Sequence, residues 1–215
     1  MLKTAVDGAF SAEEWLEFVR ANNFGQLIST MGGDTPPLIT PLHFTLGDDN
    51  VIEMHLHRNN PMLASLAVNP EATLAVIGAH VYIPTTWNGD EGDDPAWSAP
   101  TSYYAAVQVR GETEIVSRPD EMAALLNRQM RHLQPEGGYH EVVADSSPFG
   151  RMLVAIRGVR LKVRSVDAKF KFGGNRSGAH RQRVARHLAE RDGVLDREAM
   201  REVLRRDDLH AAQTS

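Results

Sequence analysis

The chain has 215 residues, 42% of them hydrophobic and 24% charged, which suits one soluble domain with a proper core and excludes a disordered or fibrous chain. It contains no cysteine, so disulfides and thiolate metal centres are excluded. Its net charge of −5 is uneven: residues 1–156 carry 8 Lys and Arg against 20 Asp and Glu, and residues 157–206 carry 15 against 6.

A basic C-terminal quarter on an acidic body points to an anionic ligand, to nucleic acid, or to docking of one part of the chain on another. The N-terminal residues lack the charged-then-apolar order of a signal peptide. No apolar run approaches the ~20 residues of a membrane span. A cytoplasmic protein without membrane contact is expected.

In chain order, Ser11 and Glu14 form a capping box, with Phe10 and Trp15 as a hydrophobic staple, and predict a helix to about Ala21. Then "FGQLISTM", "PLITPLHFTL" and "VIEMHLH" read as strands separated by "GGD" and "GDDN" turns, a pattern of antiparallel pairing. "PMLASLAVNP" is a short helix begun by Pro61. "EATLAVIGAHVYI" and "YYAAVQVRGETEIV" are strands, with Gly111 marking a bulge or bend. The polar loop "PTTWNGDEGDDPAWSAP" between them is long enough to act as a lid. "RPDEMAALLNRQMRHL" is an amphipathic helix, "MLVAIRGVRLKVRSV" a strand, and residues 178–206 two basic helices, the second begun by Asp196. About six strands with few intervening helices predict a mainly β, α+β chain built on an antiparallel barrel rather than a doubly wound sheet.

Three stretches carry residues suited to binding. In "MHLHRNNP", His55 and His57 share a strand face, with Arg58 and Asn60 at its exit before a helix start, where backbone N–H groups favour an anion. Taken alone, the plainer reading is cross-strand pairing and a turn, and no third ligand at a telling spacing supports a metal. In "PTSYYAAVQVRG", Thr101, Ser102, Tyr103 and Tyr104 stand at a strand entrance and suit a flat polar ligand, or simply a strand. In "KFKFGGNR", alternation puts Lys169 and Lys171 on one face and both rings on the other. Two glycines there permit a concave backbone, and Arg176 can make a two-pronged bond to phosphate. That stretch is a phosphate clamp or a basic surface turn. No nucleophile elbow, Walker loop or dinucleotide fingerprint is present. Any chemistry is therefore expected from a borrowed cofactor, and the catalytic residues stay unassigned.

Taken in order, these motifs resemble the PaiB family of FMN-binding proteins, often labelled negative transcriptional regulators. "HLHRNNP" is similar to that family's H-x-x-R-x-N-P at His55, Arg58, Asn60 and Pro61. "VYIPTTW" is similar to Y-I-x-x-x-W at Tyr82, Ile83 and Trp87. "PTSYYAAVQVRG" matches at Pro100, Thr101, Tyr104 and Gly111, and "KFKFGGNRS" matches K-x-K-x-S-Q-N-R at Lys169, Lys171, Asn175 and Arg176. Ser102 and Tyr103 stand where the family has Trp-Asn, and Gly173 and Gly174 where it has Ser-Gln.

The resemblance implies a split β-barrel of the FMN-binding type over residues 1–177, with peripheral helices and a basic helical extension over 178–215. It implies a homodimer holding FMN non-covalently at its interface. The expected neighbours of the flavin are His55, Arg58, Asn60, Trp87, Thr101, Tyr104, Lys169, Lys171, Asn175 and Arg176, with no metal. Beside this regulatory flavin-binding protein stand three alternatives. One is an FMN-dependent oxidoreductase of the flavin-reductase or pyridoxamine-phosphate-oxidase type. Another reads DNA directly through the two basic helices. The last binds haem through His55, His57 or His80.

Overall fold

A computed structural model gives the fold and describes residues 1–213 apart from Lys3, Asp34, Asp48, Glu91 and Asp93. Helix α1 (Ala12–Ala21) begins where the capping signal predicts. Glu14 reaches back one residue further than a capping box requires, accepting from the Phe10 N–H at 2.6 Å.

The strands are β1 (Phe24–Ser29), β2 (Leu38–Leu46) and β3 (Val51–His57), then β4 (Glu71–Ile83), β5 (Thr101–Val116) and β6 (Ile156–Lys171). They close into a barrel in the order β1-β2-β3-β6-β5-β4. The pairs β1–β2, β1–β4, β2–β3 and β3–β6 are antiparallel, as the tight turns predict. Helix α2 (Pro61–Val68) follows β3, α3 (Thr85–Asn88) follows β4, and α4 (Pro119–Leu133) and α5 (Phe149–Leu153) separate β5 from β6. The chain ends in α6 (Gly178–Arg191) and α7 (Asp196–Gln213).

One expected boundary is corrected. The strand predicted from Met152 begins at Ile156, because Phe149–Leu153 coil into α5. Leu153 is thereby buried in a cluster with Val116, Met122 and Val142. β6 then runs unbroken through Lys169, so "KFK" ends a long strand instead of forming a separate one.

The chain divides into two compact units. One comprises Glu17–Val76 and Gln108–Val166. Its interior is set by strand alternation: Leu27, Phe44, Ile52, Met54, Leu74 and Val109 are all fully buried, each contributing roughly 1.5–3 kcal/mol by its removal from water. Gly111 is a place of close backbone approach, since a Cβ there would lie 2.0 Å from the Lys162 carbonyl oxygen. α4 packs on β6 at Gly158, whose missing side chain leaves room for Met122 and Leu125. Asn127 binds both the N–H and the carbonyl of Val142, fixing the loop after α4.

The second unit comprises Met1–Leu16, Ile77–Val107 and Asp167–Ser215. Its core holds Ile83, Tyr103, Val107, Phe170 and Phe172 from the strands and Val184, Leu188, Ala199 and Val203 from the packed helices α6 and α7. α6 stops at Asp192 in a left-handed conformation (φ 45°). Asp196 opens α7 as expected: its buried carboxylate accepts from the Gly193 N–H at 2.8 Å and from one edge of the Arg191 guanidinium, Nη2 at 2.6 Å and Nε at 2.7 Å. The Arg191 bonds hold the Asp196 carboxyl below its ordinary range.

Candidate functional site

The "KFKFGGNR" stretch becomes the end of β6 and a tight turn into α6. Its turn is closed by the Arg176 N–H donating to the Gly173 carbonyl at 2.9 Å. Gly173 has φ +75°, a conformation that favours glycine. Ser177 caps α6, its hydroxyl accepting from the His180 N–H at 3.2 Å. Beside the turn, the Lys171 ammonium donates to the Thr101 hydroxyl at 2.7 Å, joining two residues that lie 70 positions apart. The Arg176 guanidinium reaches Asp90 at 3.4 Å, a long bond to a carboxylate that is 69% exposed. Asn175 is exposed in the same turn. Thr101, Lys171, Asn175 and Arg176 thus belong to one unit and cluster about one turn.

Buried polar groups surround it. Tyr103 is 2% exposed, and its hydroxyl has no hydrogen-bond partner among the described residues. Burial pushes its pKa up to about 12, so the phenol keeps its proton. His180 is equally buried. Its Nδ1 lies 3.1 Å from the Arg183 guanidinium, which can only donate, so the ring proton sits on Nε2. That Nε2 is also unpartnered. Burial, with Arg183 and Arg176 adding to it, lowers the His180 pKa to about 4 and keeps the ring neutral at pH 7.

The other expected site residues fall elsewhere. Lys169 is buried and donates to the Leu2 carbonyl at 2.9 Å, with its ammonium 5.9 Å from the Tyr104 ring. It therefore fixes the N-terminal segment. Trp87 stacks on His187 with ring centroids 5.0 Å apart, and the Arg191 guanidinium lies over it at 4.7 Å. Its indole thus anchors α3 on α6. In the other unit, Asn60 caps α2, accepting from the Met62 N–H at 2.9 Å. His55 sits 2.7 Å from the Gln129 side-chain oxygen, and Gln129 donates to the Glu53 carbonyl. Arg58 is exposed, its N–H donating to the Ala155 carbonyl at 2.8 Å. His57 Nδ1 takes the Asn59 N–H at 3.2 Å; in the unit of the turn, His80 Nδ1 lies 3.0 Å from the Gly78 carbonyl.

The acidic loop before β5 is tied at its base, where Asn88 donates to the Ala99 carbonyl at 2.7 Å and Arg183 to the Gly89 carbonyl at 2.5 Å. A cavity of about 380 Å³ lies among Asn88, Asp90, Trp97 and Arg176. Glu91 and Asp93 of this loop lie outside the described residues.

The basic helices largely use their charge on this unit's own chain. Arg181 binds Asp207, Arg191 binds Asp196, Arg197 binds Asp192, and Arg205 binds Glu202 and Glu14. Arg206 is fully buried over Phe10 and Phe170. Of the alternatives open to the basic quarter, docking accounts for most of these arginines. Arg181, Asp207 and His180 carry no motif signal, because their importance depends on which helix face meets the turn. Tyr103 is visible in sequence only as a departure from the family pattern.

Lysine, arginine, threonine hydroxyl and a glycine-permitted turn together form a donor set suited to a phosphate monoester. The barrel that carries this set is a six-stranded antiparallel one in a chain of the α+β class. The sequence pattern of the family described as "Putative FMN-binding domain" matches residues 8–165. The chain belongs to this PaiB-type family, and its cofactor is a flavin.

It is 26% identical over 181 residues to "Protease synthase and sporulation protein PAI 2" of Bacillus subtilis (strain 168), covering 83% of this chain and 84% of that one. Among solved structures, the flavocytochrome Anf3 from Azotobacter vinelandii superposes with a TM-score of 0.60 at 15% identity, over 77% of this chain and 70% of that one. The FAD and heme binding protein from Mycobacterium smegmatis gives 0.59 at 17% identity, over 78% and 74%. These two likenesses establish the split-barrel fold, as the resemblance implied.

Proposed function

We propose that this protein holds FMN non-covalently as a homodimer, with the flavin's terminal phosphate seated on the turn at 173–176, and that it acts as a PaiB-type regulator. The observation that carries this reading is the turn itself. Lys171 and Arg176 of one stretch meet Thr101 from another there, and the weak Arg176–Asp90 bond is one that a doubly charged phosphate would displace. The flavin would supply a redox-active and light-absorbing ring, while the chain's own residues hold its phosphate.

The homodimer is supported by the outer face of β1 and β2. Phe24 is paired with His43 and Ile28 with Ile39, and Phe24 and Ile39 are 53% and 56% exposed. Exposed apolar side chains on adjacent strands of this kind suit a partner surface. A regulator acting by direct DNA reading through α6 and α7 is disfavoured, because Arg181, Arg191, Arg197, Arg205 and Arg206 already lie against carboxylates and a free basic face is what phosphate contact requires.

The test is an absorption spectrum of the purified protein before and after FMN is added and excess removed, followed by titration of Lys171→Ala/Arg176→Ala. Retained flavin bands, with affinity at least tenfold weaker in the double variant and an unchanged oligomer by sedimentation, are expected. Equal affinity in the double variant would overturn the phosphate seat. Steady oxidation of NAD(P)H by the flavin-loaded protein would replace the regulatory reading with the FMN-dependent oxidoreductase.

A further inference from the structure

We infer that Asp207, on the C-terminal helix, is a positioning residue that shapes the phosphate seat through Arg181; the inference rests on the phosphate reading proposed above.

Arg181 is 6% exposed, and a buried guanidinium must have its donors satisfied. Asp207 takes one edge of the fork, at 2.9 Å from Nε and 2.6 Å from Nη2. The remaining nitrogen, Nη1, bonds the carbonyls of Gly173 and Arg176. Those are the first and last residues of the turn that the Arg176 N–H closes onto Gly173. In a planar trans peptide the carbonyl and the following N–H point in opposite directions. Turning both carbonyls toward Arg181 therefore turns the N–H groups of Gly174 and Ser177 away from it, to the side where an anion would accept them.

Asp207 is held in turn. Gln182 donates to its second oxygen at 2.8 Å. Its carboxylate lies against Gly178, where a Cβ would come within 3.2 Å of it. An uncharged side chain at 207 would leave the buried Arg181 with a weaker partner, and the guanidinium would then shift from the turn toward whatever acceptor it could find. All of these groups lie beyond residue 165, where the family pattern ends.

The test compares two ligands in one protein. FMN and riboflavin share the ring and differ by the phosphate, so the ratio of their affinities isolates the seat and is independent of the fraction of protein folded. Flavin fluorescence titrations of the full-length chain, Asp207→Asn and Asp207→Glu are read as this ratio. The wild-type protein is expected to prefer FMN strongly. Asp207→Asn should reduce that preference about tenfold, the loss of one hydrogen bond to a charged group, with riboflavin affinity unchanged, and Asp207→Glu should recover part of it.

An Asp207→Asn protein that keeps the full preference, or loses affinity for both flavins in parallel, would overturn the positioning role. A wild-type protein that binds both flavins equally would instead overturn the phosphate reading on which the role rests.

Discussion

The hydroxyl of Tyr103 stands 2.5 Å from where a Cβ on Gly173 would be, with its ring edge-on to Phe172. Tyr103 and Gly173, one from each of the two stretches that differ from the resembled motifs, therefore pack against each other. A tyrosine in the core at 103 requires glycine at 173. Any side chain at 173 would also have to adopt φ +75°, which costs about 1–2 kcal/mol. Gly173→Ala is expected to lower stability by about 2–4 kcal/mol, strain and overlap together. Tyr103→Phe alone should be neutral or stabilising, since it deletes a buried hydroxyl without a partner. In the double variant Tyr103→Phe should recover the overlap part alone. Urea unfolding of the four proteins checks this, and strictly additive effects would refute the coupling.

Arg206 has no exposed surface, and its neighbours define a second test. It donates to the Gly8 carbonyl at 2.7 Å, lies 3.6 Å from the Glu14 carboxylate and covers Phe10 and Phe170, yet its Nε and Nη1 have no hydrogen-bond partner among the described residues. Its stem and planar head act largely as packing. Arg206→Met is expected to retain most of the stability, because it keeps volume and removes unsatisfied donors. Arg206→Ala should cost about 2–5 kcal/mol through the cavity it leaves. Glu14→Gln should cost about 3 kcal/mol by leaving the buried Arg206 without its nearest carboxylate, while Arg205 keeps Glu202. A methionine variant as damaged as the alanine variant would show that the charge, not the packing, matters.

His180 predicts a pH dependence. Its pKa is lowered from the ordinary 6.5 to about 4 by burial and by Arg183 and Arg176. Between those values the unfolded chain binds a proton that the folded chain refuses, so stability is full above pH 6.5 and declines as the pH falls toward 4. The unfolding midpoint should fall over this window, above the range where the Asp196 carboxylate titrates. His180→Gln should flatten the decline. Midpoints from thermal melts at intervals of half a pH unit are the measurement, and an identical slope in the variant would remove His180 as the cause.

The fold was largely legible. Turn residues and period-2 alternation mark the strands, as in β5, where Tyr103, Ala105, Val107 and Val109 point inward in succession. Pro61 and Asp196 mark helix starts. α5 was not legible, because Met152 and Leu153 suit a strand as well as a helical turn and only contact with Val116 and Met122 decides between them. In the candidate site, Lys171, Thr101 and Arg176 were found as residue types. Lys169, Trp87 and Asn60 were found with them, though the structure gives each a local structural partner: the Leu2 carbonyl, His187 with Arg191, and the Met62 N–H.

By itself the sequence determined what depends on near neighbours: strand periodicity, helix caps, the glycine turn after β6 and the positive charge gathered around it. The tertiary structure alone decided which of those charges are available to a ligand. Arg181 and Asp207 are 26 residues apart, and Lys171 and Thr101 are 70 apart. A cation's availability is set by whichever carboxylate, hydroxyl or carbonyl the packing brings within about 3 Å of it, a pairing over distances on which local sequence patterns carry no information.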